Sequence, residues 1–121
     1  MENTNVINNT LFVKLIENSI FTNRQMQIIL NIRNNEKRIS DISSGAYYRE
    51  SKQSKTKLKK LYYSVMLLYL LEIIDDNKLT TLNKIIRQLK LIDNNHNERH
   101  TNDILGITNV IEEMVNKMIM M

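Results

Sequence analysis

The chain has no cysteine, no proline and no tryptophan, and only two glycines among its 121 residues. Without cysteine there is neither a disulfide framework nor a thiolate metal site, so folding must rest on burial, which suits a reducing cytoplasm. Without proline nothing interrupts a long helical run. The opening MENTNVINNT lacks a basic segment followed by an apolar one, so no export signal is expected and a cytoplasmic location is. The longest apolar run, LYYSVMLLYLLEII from Leu61 to Ile74, rises about 21 Å as a helix, short of the roughly 30 Å of a bilayer core. Ser64 and Glu72 also interrupt it; it reads as a buried central helix segment, not a membrane span. There is no glycine-rich phosphate loop, no thiol nucleophile and no carboxylate pair set among desolvating residues. The chain is therefore not expected to be an enzyme, and neither a cofactor nor a small-molecule ligand is evident.

What is present points to helices: 42% hydrophobic residues, 25% charged, and seven methionines suited to adaptable apolar packing. A chain of this length supports one domain with a modest core. The net charge of +4 and pI near 9.4 carry little weight alone, because Asn, Ile and Lys are all abundant, as in products of AT-rich genomes. Position says more: residues 43–74 carry six basic side chains against two acidic, whereas the flanking thirds are nearly balanced.

Apolar spacing predicts a first helix through Val6, Ile7, Leu11 and Leu15, ending near Asn18. In FTNRQM, Thr22 can cap a second helix, Gln25 can close a capping box and Phe21 can staple onto Met26, with the helix running to about Ile32. RNNEKRISDISSG is polar and reads as a turn with at most a short helix. From Ser44 to Ile74 one continuous helix is expected. Tyr47, Ser51, Ser54, Leu58, Leu61, Val65 and Leu68 share one inward face. Tyr48, Arg49, Lys52, Lys55, Thr56, Lys59 and Lys60 lie on the opposite side of its first half. Two further amphipathic helices are read from Leu79, Leu82, Ile86 and Leu89, and from Ile104, Ile107, Ile111, Met114 and Met118.

The order FTNRQMQIIL, polar turn, SSGAYYRESKQSKTKL resembles the helix-turn-helix of sigma-factor region 4 and LuxR-like regulators, and of small archaeal helix-turn-helix proteins, over about Phe21 to Leu58. TxRQ resembles the opening of the first helix, and SSGAYYR the Ser-led start of a recognition helix. ISDIS leaves no room for the usual full second segment. The resemblance implies a helix in the major groove with its N-terminal residues on base edges and flanking cations on phosphates. The residues themselves suit this, because outward Arg and Lys interleaved with Tyr and Gln combine phosphate neutralisation with base-edge hydrogen bonding. The expected contact set is Ser44, Tyr48, Arg49, Lys52, Gln53, Lys55, Thr56, Lys59 and Lys60.

His96 and His100 in HNERH stand four apart, but no third histidine exists and Asn and Asp crowd the segment. It reads as a solvated linker and no metal is expected. The sequence thus predicts an all-α protein: a single domain, residues 1–121, built as a small bundle of about five helices around a long central one. A helix-turn-helix-like DNA-binding region would span 21–60, and a helical core with a dimerisation region 61–121. The expected partners are double-stranded DNA and a second copy of the chain, with no membrane, in the role of a transcriptional regulator or architectural protein. The competing reading is a helical protein interaction module whose lysines serve only solubility.

Overall fold

The computed structural model describes residues 10–38, 41–94 and 101–119. Within them lie five helices and no strand: α1 (Thr10–Glu17), α2 (Asn23–Arg33), α3 (Ser44–Leu70), α4 (Asp76–Asn94) and α5 (Thr101–Ile119). The protein is all-α, as its apolar spacing predicts. Val6, Ile7, His96 and His100 fall outside the described residues. Among the described residues no helix is long and apolar enough to cross a membrane. The chain forms two compact units, Met1–Tyr63 and Ser64–Met121, and the division falls inside α3.

In the first unit α1 closes with the Asn18 amide donating to the Lys14 carbonyl at 2.9 Å and Ser19 N–H donating to the Ile16 carbonyl at 3.0 Å. The chain turns at once into α2, whose start is the expected capping box. Gln25 N–H donates to Thr22 Oγ1 at 3.1 Å, and Thr22 N–H donates to Gln25 Oε1 at 3.1 Å. Two of the orphan donors of the helix start are thereby satisfied reciprocally. Among the described residues of this unit Leu11 and Ile28 are the buried apolar side chains. Four polar side chains, Gln25, Asn31, Ser51 and Ser54, are buried as well. Among the described residues no buried side-chain nitrogen or oxygen lacks a hydrogen-bond partner, the condition under which a polar interior is tolerated.

Asn31 shows how that condition is met. Its amide nitrogen donates to the Lys37 carbonyl at 2.6 Å, and its oxygen accepts from the Tyr47 hydroxyl at 2.6 Å. One side chain therefore binds α2 to both the following turn and α3. The turn, residues 34–43, contains no helix among its described positions. A second clamp comes from Arg24, whose guanidinium donates to both oxygens of Asp41 at 3.0 and 3.3 Å. That hydrogen bond, helped by the charge of Arg24 and opposed by slight desolvation, holds the Asp41 carboxyl below the ordinary carboxylate range.

α2 and α3 end in the same way. After α2, Glu36 N–H donates to the Asn31 carbonyl at 3.0 Å and Asn35 N–H to Ile32 at 3.1 Å, with Asn35 at φ 54°. After α3, Ile73 N–H donates to Leu68 at 2.9 Å and Glu72 N–H to Tyr69 at 3.1 Å, with Glu72 at φ 60°. Both are Schellman motifs, in which a left-handed residue lets two amides return to the last turn. Glycine ordinarily takes that position; here Asn and Glu do. The second motif ends α3 at Leu70, four residues before the expected Ile74.

The second unit holds the end of α3 together with α4 and α5. Asp75 caps α4, its carboxylate accepting from Lys78 N–H at 2.9 Å. Lys78 Nζ in turn donates to the Ile73 carbonyl at 2.8 Å, so one residue joins both sides of the corner. The Tyr69 hydroxyl donates to the carboxylate of Asp76, which raises the Tyr69 pKa. On α5 the expected stripe faces inward: Ile104 is buried and Ile107, Ile111, Met114 and Met118 are half-buried. On α4 the expected stripe is one residue out of phase. Leu79, Leu82 and Ile86 are exposed, while Ile85 is buried and Leu89 and Ile92 half-buried. Ile85 and Ile86 begin two overlapping apolar faces about 100° apart, and periodicity does not choose between them; Thr81, half-buried one turn earlier, marks the one used.

Candidate nucleic-acid interface

The N-terminal half of α3 is placed by its cap and its inner face. Ser43 is the cap, its hydroxyl accepting from Ala46 N–H at 3.2 Å. Ser44, expected in the contact set, is the first helical residue, and its hydroxyl accepts from Arg38 Nη1. The same guanidinium lies over the Tyr47 ring, 6.0 Å from its centroid. On the inner face Tyr47 is half-buried, Ser51 and Ser54 are buried and Leu58 is half-buried, as the helical phase predicts. Ser54 hydroxyl donates back to the Glu50 carbonyl at 2.7 Å, which lets a polar side chain sit in a dry interface.

With the inner face fixed, the outer one follows. Tyr48, Arg49, Lys52, Gln53, Lys55, Thr56, Lys59 and Lys60 are all exposed. At about 100° per residue they fill an arc of about 160°, and from Tyr48 to Lys60 they run about 18 Å along the helix. Among the described residues no carboxylate pairs with Arg49, Lys52, Lys55 or Lys59; the ion pairs there are Lys14 with Glu17 and Arg24 with Asp41. Arg49, Lys52, Lys55 and Lys59 form a band of positive charge left for solvent or a ligand.

Within the band the structure separates two groups. Arg49, Lys52, Gln53 and Thr56 line a groove of about 480 Å³ together with Gln25 of α2 and Lys57. Ser44, Tyr48, Lys55, Lys59 and Lys60 do not line it. The first group thus lines a concavity and the second lies outside it, with Thr56 and Gln53 adding neutral hydrogen-bond donors beside the cations.

Lys57 differs from its neighbours. Its ammonium donates to the Ile20 carbonyl at 2.6 Å and to Gln25 Oε1 at 2.7 Å, so it ties the α1–α2 turn and the capping box of α2 to α3. Sequence reading leaves Lys57 out of the outward stripe and gives it no task. The other residue it missed is Arg38, which has no helical phase to betray it and acts on the first turn of α3 from the preceding loop.

Beyond Lys60 the apolar half of α3 departs from expectation. It was read as buried nearly all round, yet Leu61, Tyr62, Tyr63, Val65, Met66, Leu67 and Leu70 are exposed, and of the expected inward face only Leu68 is half-buried there. The opposing stripes of α4 and α5 meet one another, lining an apolar groove of about 550 Å³ with Ile85, Leu89, Ile92, Ile107, Ile111 and Met114 among its walls. No family model, curated protein or solved structure matches this chain.

Proposed function

We propose that the N-terminal half of α3 binds double-stranded DNA, chiefly through phosphates, in the role of a transcriptional regulator or architectural protein. The observation that supports this reading is the band of Arg49, Lys52, Lys55 and Lys59, exposed on one side of a capped helix with no carboxylate partner among the described residues. A solvated lysine face built only for solubility is usually interspersed with acidic residues. This one includes Gln53 and Thr56 instead. α2 serves as the supporting helix of a helix-turn-helix-like unit whose connection, residues 34–43, is wider than the usual short turn. The Asn31 and Arg24 contacts hold that connection in place.

The test is the salt dependence of binding to random duplex, measured by fluorescence anisotropy. If four cations meet phosphates, log K falls against log salt with a slope of about −3.6 per protomer. Lys52→Ala with Lys55→Ala flattens that slope by about two while leaving the helical signal unchanged. An unchanged slope, or no binding at low salt, refutes the reading. A second reading, a helical protein interaction module, draws its support from the apolar groove between α4 and α5. It predicts that duplex has no effect on the protein at any salt.

A further inference from the structure

Gln25, the third residue of α2, lines the groove that Arg49, Lys52, Gln53 and Thr56 border from α3, and it is only 4% exposed. All of these residues belong to the first unit. The side-chain oxygen of Gln25 is fully engaged, accepting from Thr22 N–H at 3.1 Å and from Lys57 Nζ at 2.7 Å. Both partners can only donate, so the amide cannot turn over and its nitrogen is held on the other side. That nitrogen donates to nothing among the described residues, where Gln25 bonds only through its oxygen and its backbone N–H. No buried side-chain nitrogen there lacks a partner. The nitrogen therefore reaches open space, and the open space that Gln25 borders is the groove. Two donors pulling on the oxygen also polarise the amide, which strengthens the nitrogen as a donor.

We propose that this groove is a phosphate seat, with Gln25 Nε2 donating from α2 while Arg49 and Lys52 supply positive charge and Thr56 a hydroxyl donor from α3. The lining selects that occupant. It contains no carboxylate, and the side chains of Arg49, Lys52 and Thr56 are engaged in no ion pair or hydrogen bond among the described residues. Lys57, though bonded to Gln25 and Ile20, adds a further positive charge to the wall. An occupant must be an anion with several acceptor oxygens. Donors on two helices, one on each wall, suit a tetrahedral anion better than a planar carboxylate. The first turn of α2 adds the positive end of its helix dipole. Resting on the nucleic-acid reading, the phosphate is one phosphodiester of the duplex backbone, gripped between α2 and α3 at a point that the outward lysines alone do not reach. Gln25 would then be a neutral phosphate contact that fixes the register of α3 on the duplex.

The experiment follows the nitrogen–proton signals of the Gln25 side-chain amide in the full chain. Sodium phosphate is titrated first, against sodium chloride at matched ionic strength, and then a short random duplex at low salt. Phosphate moves the Gln25 signals to saturation in the millimolar range and chloride does not; duplex moves them in the same direction. Gln25→Glu supplies the variant. Glutamate at that position also closes a capping box and pairs with Lys57, so the fold is kept, but a negative oxygen replaces the donor. This variant loses the phosphate response, read on the Arg49 side-chain signal, and its duplex affinity falls about tenfold or more. Asn23→Glu adds the same charge in the same turn, exposed and outside the groove lining, and lowers duplex affinity by about threefold or less. Gln25 signals indifferent to phosphate overturn the proposal whether or not duplex binds. So do equal losses of duplex affinity in Gln25→Glu and Asn23→Glu. Duplex that binds and leaves Gln25 unmoved overturns the backbone assignment. If duplex does not bind and phosphate still moves Gln25, the nucleic-acid reading fails and the seat stands, its ligand a free phosphate or phosphorylated small molecule.

Discussion

Replacing Lys57 by Met removes the ammonium that donates to the Ile20 carbonyl at 2.6 Å and to Gln25 Oε1 at 2.7 Å, while the methylene stem that packs beneath it is largely kept. Hydrogen bonds involving a charged group contribute about 1.5–3 kcal/mol each when dry. Ile20 is exposed and Lys57 only half-buried, so the first bond is discounted heavily and water can replace it. The second counts for more, because Gln25 is buried and its oxygen loses one of two donors. The expected net loss is about 1.5–2.5 kcal/mol. With a urea slope of about 1–1.5 kcal/mol/M for a small protein, the midpoint falls by about 1–2.5 M. Lys52→Met, on the same helix but exposed and unpaired among the described residues, is the control and should stay within about 0.5 kcal/mol. Urea titration followed by circular dichroism compares the two. Equal midpoints for the two variants would show that the link from α3 to the α2 cap bears no weight, and the reasoning would fail.

Glu72 occupies a left-handed position that costs an L-residue about 1–2 kcal/mol, so Glu72→Gly should raise stability by about 0.5–1 kcal/mol after the extra chain entropy of glycine; a lowered melting temperature would count against the assigned helix end. The Asp41 carboxyl is depressed in the folded protein, so its contribution is present above the unfolded value near 3.9 and lost as pH falls through the folded one. Wild type should therefore exceed Asp41→Asn in stability at pH 6, and the gap should close as acidification protonates the carboxyl in the folded protein as well; a gap independent of pH excludes the Arg24 pair as its source. In a double-mutant cycle of Asn31→Leu and Tyr47→Phe, denaturation should give a coupling of about 1 kcal/mol, because the 2.6 Å bond joins the two. Simple additivity would mean that the bond contributes nothing in solution.

Local signals carried the reading furthest where one residue type has one physical use. Thr22 and Gln25 name a capping box, and it is there; the uninterrupted run after Ser43 names a long helix, and α3 is continuous to Leu70. The phase of Tyr47, Ser51, Ser54 and Leu58 gave the inner face correctly, and with it the outward set from Tyr48 to Lys60. The misses are tertiary. The end of α3 turns on Glu72, a residue with no preference for φ 60°, so nothing local announces it. Gln25 and Asn31 are polar residues buried by partners 32 and 16 positions away, and such partners are invisible to periodicity. The apolar half of α3 is expected inside because hydrophobic runs usually go there, yet it is largely exposed, while the stripes of α4 and α5 face a groove of their own.

The interior of the first unit also determines how the protein meets temperature. Unfolding a domain exposes apolar surface, which raises the heat capacity, and polar surface, which lowers it. Here Leu11 and Ile28 share the interior with Gln25, Asn31, Ser51 and Ser54, so the two contributions partly cancel. Calorimetry is therefore expected to give this unit a heat-capacity increment at or below the roughly 12–15 cal/mol/K per residue of ordinary cores. Its free energy of unfolding therefore bends less with temperature. On cooling, the share of stability that rests on directed bonds is kept where the share from apolar burial weakens.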